Sequence, residues 1–120
     1  MSASAAQSAA FFAEAVAGGE VFGIKDKGGF PAPKNGSGDR AMPFWSKQSR
    51  AEKVCASVPA YDGFEVVALS LTEWRDRWLP GLAKDGLRVG VNWSGPRATG
   101  YDFTADQVQA RLDAEQSQQG

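Results

Sequence analysis

The chain has 120 residues, 42% of them hydrophobic and 22% charged, with a formal net charge of −1. That is the size and make-up of one folded domain rather than a disordered segment, and it lacks the basic excess of a bulk nucleic-acid binder. Histidine is absent and Cys55 is the sole cysteine, which excludes Ser-His-Asp or Cys-His machinery, an intrachain disulfide and a Cys/His zinc site.

The charge is unevenly placed. Residues 20–60 carry seven Lys/Arg against four Asp/Glu, and residues 61–120 carry six against nine. The basic half reads as dispersed surface lysines rather than a patch. Met1-Ser2-Ala3-Ser4 has no basic leader region, and the apolar stretch from Ala9 to Val16 is broken by Glu14. It is also too short to cross a bilayer. A single cysteine fits a reducing compartment. The expectation is a cytoplasmic protein without membrane contact.

Residues 3–17 read as an alanine-rich helix. Ala9, Phe12, Ala13 and Val16 share one face, and Gly18-Gly19 stops it. Glu20 to Lys25 is a strand. Asp26-Lys27-Gly28-Gly29 is a turn signal, and the chain restarting at Phe30 predicts a hairpin. Pro31 and Pro33 make that second strand an edge strand or a very short one. A loop, Lys34 to Asp39, leads to a third strand at Arg40–Trp45.

A second helix starts at Ser46 or Ser49. Ser49 with Glu52 has the capping-box spacing, Ala51, Val54, Cys55 and Val58 give it an inward face, and Pro59 ends it. The apolar run Phe64 to Leu69 predicts a central strand covered on both sides. Ser70 with Glu73 is another capping box. It opens a helix whose inward residues are Leu71, Trp74, Trp78 and Leu82, bent or broken by Pro80. Leu87, Val89, Val91 and Trp93 alternate with Arg88, Gly90 and Asn92, a strand with one buried face. Ser94-Gly95-Pro96 is a turn. Thr104 with Gln107 caps a last helix that turns Val108 and Leu112 inward. The polar end, 113–120, is expected to be a flexible tail beyond an ordered 3–112.

The expected architecture is α+β. It is a single domain over 1–120, with a mixed or mainly antiparallel sheet of about five short strands and about four helices packed on it.

Three stretches carry a family resemblance: Pro43-Phe44-Trp45-Ser46, Trp78-Leu79-Pro80-Gly81-Leu82 with Asp85-Gly86, and Val89-Gly90-Val91-Asn92-Trp93. With Val21-Phe22-Gly23 they resemble the small bacterial family catalogued as domain of unknown function 2750, from about Phe11 to Val108. The resemblance implies a stand-alone bacterial cytosolic domain and no particular activity.

Candidate chemistry is sparse. Trp74, Trp78 and Trp93 fall on inward registers and read as core, whereas Trp45, between a strand and a helix, could be half exposed. The carboxylate pairs Glu73/Asp76 and Asp102/Asp106 are explained by helix capping and the helix dipole rather than catalysis. Asn35-Gly36-Ser37-Gly38 is not a phosphate loop. Cys55 reads as a small buried hydrophobe. No catalytic residue, metal ligand or cofactor is expected.

What binding there is should involve Trp45, Asn92 and Arg97. Trp45 and Asn92 end two predicted strands, and they converge only if those strands are parallel. Arg97 adds a planar donor fork beside an aromatic. The leading expectation is a non-enzymatic module that binds another protein, in an immunity-like or regulatory role, with no nucleic acid or membrane partner. The alternative is a small-ligand binder or enzyme with a pocket at that end of the sheet. A deep pocket there favours the second reading, and a flat apolar patch favours the first.

Overall fold

The computed structural model describes residues 3–119. The expectations that touch Met1, Ser2 and Gly120 lie outside these residues. Helix α1 spans Ala3–Gly18, strand β1 Glu20–Lys25, strand β2 Ala41–Phe44 and helix α2 Gln48–Ser57. Strand β3 is Glu65–Ser70. After it comes a continuous helical stretch of α3 (Leu71–Glu73), a π-helical turn (Trp74–Trp78) and α4 (Leu79–Lys84). Strands β4 (Arg88–Val91) and β5 (Asp102–Phe103) precede helix α5 (Ala105–Gln119). The fold is α+β, and a radius of gyration of 13.3 Å fits one globule of this length.

The five strands form two small sheets rather than one. β1 pairs antiparallel with β3, while β2, β4 and β5 make a mixed sheet in which β2 and β4 run parallel. Trp45 joins the two. One residue past β2, it exchanges both backbone hydrogen bonds with Phe22 at 2.8 Å. The predicted hairpin after β1 does not form. Asp26 and Gly29 close a tight turn, but the chain then runs without strand pairing through Pro31 and Pro33, which lack the N–H a ladder needs. Phe30 instead packs edge-on against Trp78, with ring centroids 4.7 Å apart. The predicted central strand, β3, has β1 as its one partner strand among the described residues; Glu65, Ala68 and Ser70 are exposed, Val66 and Val67 half-buried, and Leu69 buried.

Apolar side chains fill two clusters. Phe11, Phe12, Phe44, Trp74, Val89, Val91, Val108 and Leu112 belong to the larger, between α1, the π-helical stretch, α5 and the mixed sheet. The smaller gathers Phe22, Ile24, Trp45, Val54, Tyr61 and Trp93 beneath α2. The inward face of α1 is rotated from the expected one. Ser8, Phe11, Phe12 and Ala15 are buried, while Ala9 is exposed. An alanine-rich helix offers weak periodicity, and its two adjacent phenylalanines decide the face.

Of the predicted capping boxes, one is complete and a second is half made. Ser70 Oγ accepts from the Glu73 N–H at 3.1 Å. Thr104 and Gln107 bond reciprocally, each backbone N–H donating to the other's side chain at 2.9 and 3.1 Å. The Ser49/Glu52 box does not form. α2 begins one residue earlier, behind Lys47, with no side-chain cap, and Gln48 Nε2 donates to Glu52 instead. α5 continues through Gln119, where polarity predicted a flexible tail. Arg75 holds it by donating to Gln109, Asp113 and Gln116, and Gln119 Nε2 donates to the Ala13 carbonyl at 3.0 Å. Pro80 neither breaks nor splits its helix. The π-helical turn absorbs it, with the Leu79 N–H reaching back five residues to the Trp74 carbonyl.

Candidate functional site

The parallel β2–β4 pairing sets Phe44 beside Val91, so the two strands end together. The ladder's last bond runs from the Asn92 N–H to the Phe44 carbonyl at 2.9 Å. Asn92 then takes a left-handed backbone conformation, φ 48°. Asparagine tolerates this better than most residues because its short amide can bond locally. The reversal breaks the alternation. Trp93 leaves the face of Val89 and Val91, where periodicity put it, and enters the cluster under α2. Its ring folds back over Gly90, where a Cβ would stand 2.4 Å from the indole. It also lies against Gly100, where a Cβ would be 2.8 Å away. The indole N–H donates to the Tyr101 carbonyl at 3.0 Å.

Of the three residues expected at the site, the structure brings Trp45 and Asn92 together and leaves Arg97 aside. Trp45 is fully buried, not half exposed. Its indole N–H donates to the Trp93 carbonyl at 2.8 Å, so it props the strand ends from below. Asn92 is 2% exposed. Its Oδ1 accepts from the Ser46 N–H at 3.0 Å, and its Nδ2 lies 3.2 Å from the Gln7 carbonyl and 3.1 Å from Ser46 Oγ. Arg97 is exposed in the turn after β4.

A groove of about 650 Å³ opens beside this knot. α1 lines it with Ala6, Gln7 and Ala10, and α2 with Arg50, Lys53, Val54 and Ser57. The strand end and turn supply Asn92, Trp93, Ser94, Gly95 and Pro96. Gln7 Nε2 donates to Ser94 Oγ and ties the turn to α1. The groove thus combines apolar walls with a few convergent polar groups. No Asp or Glu lines it.

Arg50 anchors the polar side. Its Nη1 and Nη2 grip both oxygens of Glu14, the second at 3.2 Å, and Nη1 also donates to Ser46 Oγ at 3.1 Å. Burial pushes the Glu14 carboxyl up, but hydrogen bonds from Arg50 and Ser46 and the charges of Arg50 and Lys47 outweigh it, leaving the group below its ordinary value. Glu14, Arg50, Ser46 and Asn92 form one continuous network from α1 through α2 to the strand ends. The Cys55 thiol is half-buried on α2, and burial, then the nearby Glu52 charge, raise its pKa. Asp102 is held by Arg88 and by Asn35 Nδ2 at 3.1 Å, a structural role. Among the described residues, no group of three Cys, His, Asp or Glu is placed to hold a metal, and no helix is long and apolar enough to cross a membrane.

Two of the segments carrying the family resemblance, 43–46 and 89–93, meet at this site, and the family described as a protein of unknown function, DUF2750, matches residues 8–112. The chain belongs to this family. The match runs from the middle of α1 into α5, and Trp45, Ser46, Asn92 and Trp93 lie inside it, whereas the groove residues Ala6 and Gln7 precede it. A search of curated proteins found no match.

Sequence reasoning did not single out Arg50, Lys53 or Glu14 as site residues for this DUF2750 domain, and it assigned Trp93 to the core alone. A usable signal was the spacing of Arg50 and Lys53, three apart along α2, which sets both basic groups near one side of the helix.

Proposed function

We propose that this domain is a non-catalytic binding protein for a small organic ligand, taken up in the groove between α1, α2 and the 94–96 turn. The carrying observation is the groove itself. A concavity of about 650 Å³ has the size and mixed lining of a small-molecule site. The observation favours a ligand over the protein partner expected first, because that reading called for a flat apolar patch. Tyr101, 44% exposed, is the one large hydrophobic strongly exposed among the described residues. The polar atoms of Asn92, Ser46 and Glu14 are engaged with one another and with Arg50. They act as scaffold and leave no carboxylate in the groove to move a proton.

The test is a mixed fragment set screened by amide chemical-shift perturbation on the full chain. Hits are expected to move the amides of Ala6, Ala10, Val54 and Trp93 together. Hits that cluster on another face, or a set that leaves these amides unmoved, would remove the groove from consideration.

A further inference from the structure

We infer that the groove selects a carboxylate-bearing ligand, with Lys53 and the outer edge of Arg50 receiving the anion and the apolar walls taking its body. The inference rests on the groove being a ligand site and adds the ligand's charge and geometry.

The first support is charge. Two cationic side chains line the groove and no anionic one does. Lys53 is exposed and has no ion-pair partner among the described residues. Arg50 is neutralised by Glu14, so the groove carries the uncompensated charge of Lys53.

The second support is a donor count on Arg50. A guanidinium has five N–H donors arranged as two parallel forks, one across Nη1 and Nη2 and one across Nε and Nη2. Glu14 occupies the first fork. Ser46 Oγ takes the remaining Nη1 hydrogen. The Nε–H and the second Nη2–H have no partner among the described residues, and the side chain is 41% exposed. The free edge has the spacing a carboxylate fits with two parallel bonds. Glu14 and Ser46 hold the guanidinium still, so little side-chain freedom remains to be lost on binding.

The third support is the apolar remainder. Ala6, Ala10, Val54 and Pro96 offer no hydrogen-bond donor from their side chains, so the rest of the ligand is read by shape and area.

The experiment titrates 2-naphthoate and its neutral isostere 2-naphthamide into the labelled full chain, following groove amides. The acid is expected to bind about three- to tenfold more tightly than the amide, the range for a partly exposed charge-assisted contact. Lys53→Gln and Arg50→Lys should each weaken naphthoate more than naphthamide, so that the difference between the two probes shrinks. Arg50→Lys keeps the charge and loses the fork. Lys53→Gln breaks no internal bond and carries the test if Arg50→Lys unfolds. Equal binding of the two probes at the groove overturns the carboxylate assignment and leaves the ligand site standing. If neither probe moves a groove amide, both readings fail.

Discussion

Ser46 and Asn92 clasp each other across the ends of two parallel strands. The Ser46 N–H donates to Asn92 Oδ1 at 3.0 Å, and Asn92 Nδ2 lies 3.1 Å from Ser46 Oγ. Both residues are buried, so each atom left without its partner would be an unsatisfied polar group away from water.

Asn92→Ala is therefore expected to cost about 2–4 kcal/mol, the sum of orphaned buried groups and a non-glycine, non-asparagine residue at positive φ. Asn92→Gly relieves the backbone and still orphans the Ser46 N–H and the Gln7 carbonyl. It should recover about 1 kcal/mol of that loss, no more. Urea unfolding of the three proteins checks the order; a glycine variant as stable as the parent would show that the amide contributes nothing.

Gly90→Ala forces a Cβ to within 2.4 Å of the Trp93 ring. The indole must leave its slot, together with its bond to the Tyr101 carbonyl. A loss of about 2–4 kcal/mol is expected from overpacking and displacement. Gly36→Ala, with nothing within 4 Å, is the control and should change stability by less than about 1 kcal/mol. Similar effects at the two positions would contradict the ring placement.

Trp74 and Trp78 lie on one helical stretch but differ in burial. Trp74 is fully buried between Phe11 and Phe44, with centroids 5.7 and 5.2 Å away. Trp78 is half-buried against Phe30 and Phe44. Trp74→Ala should cost about 3–5 kcal/mol, and Trp78→Ala about 2–3 because water already reaches part of its ring. Thermal unfolding that ranks Trp78 as the costlier loss would refute this placement.

Glu14 sets an acid limit. Its folded carboxyl sits below the ordinary value of 4.5, so the folded state binds its proton less readily than the unfolded chain. The stabilisation is full above the unfolded pKa and is lost as pH falls through the folded one. Lowering the pH from about 5 should therefore destabilise the parent more steeply than Glu14→Gln. Parallel stability curves through that range would show that the Arg50 pairing is worth nothing net.

Much of the fold was legible because it is written in local chemistry. Ser70/Glu73 and Thr104/Gln107 mark helix starts with side chains that satisfy nearby N–H groups, and β1 was bounded by turn residues. The failures have two causes, long-range partners and a local backbone conformation. α5 reaches Gln119 because Arg75 and Ala13 hold it, and neither is near in sequence. Trp93 changed layers because one residue took a left-handed conformation that periodicity cannot see. Trp45 and Asn92 were expected to converge from their places at strand ends, and the parallel β2–β4 pairing does bring those ends together, although Asn92 lines the groove and the buried Trp45 does not. Arg50 and Lys53 were not singled out, because a basic residue on a helix surface looks the same whether or not a groove lies beside it.

The network around Asn92 links residues far apart along the chain. Asn92 meets Gln7 across 85 positions and Ser46 across 46, and Glu14 meets Arg50 across 36. Such distant closures are late events, since loop entropy must be overcome before any bond forms. The proposed groove should therefore be absent from any partly folded species and appear only with the native state. A ligand taken there discriminates completely against the unfolded chain, so its binding should raise the melting temperature in proportion to the logarithm of its excess over Kd. A shift of that form also offers a way to find the natural ligand, because stability can be followed without knowing any activity.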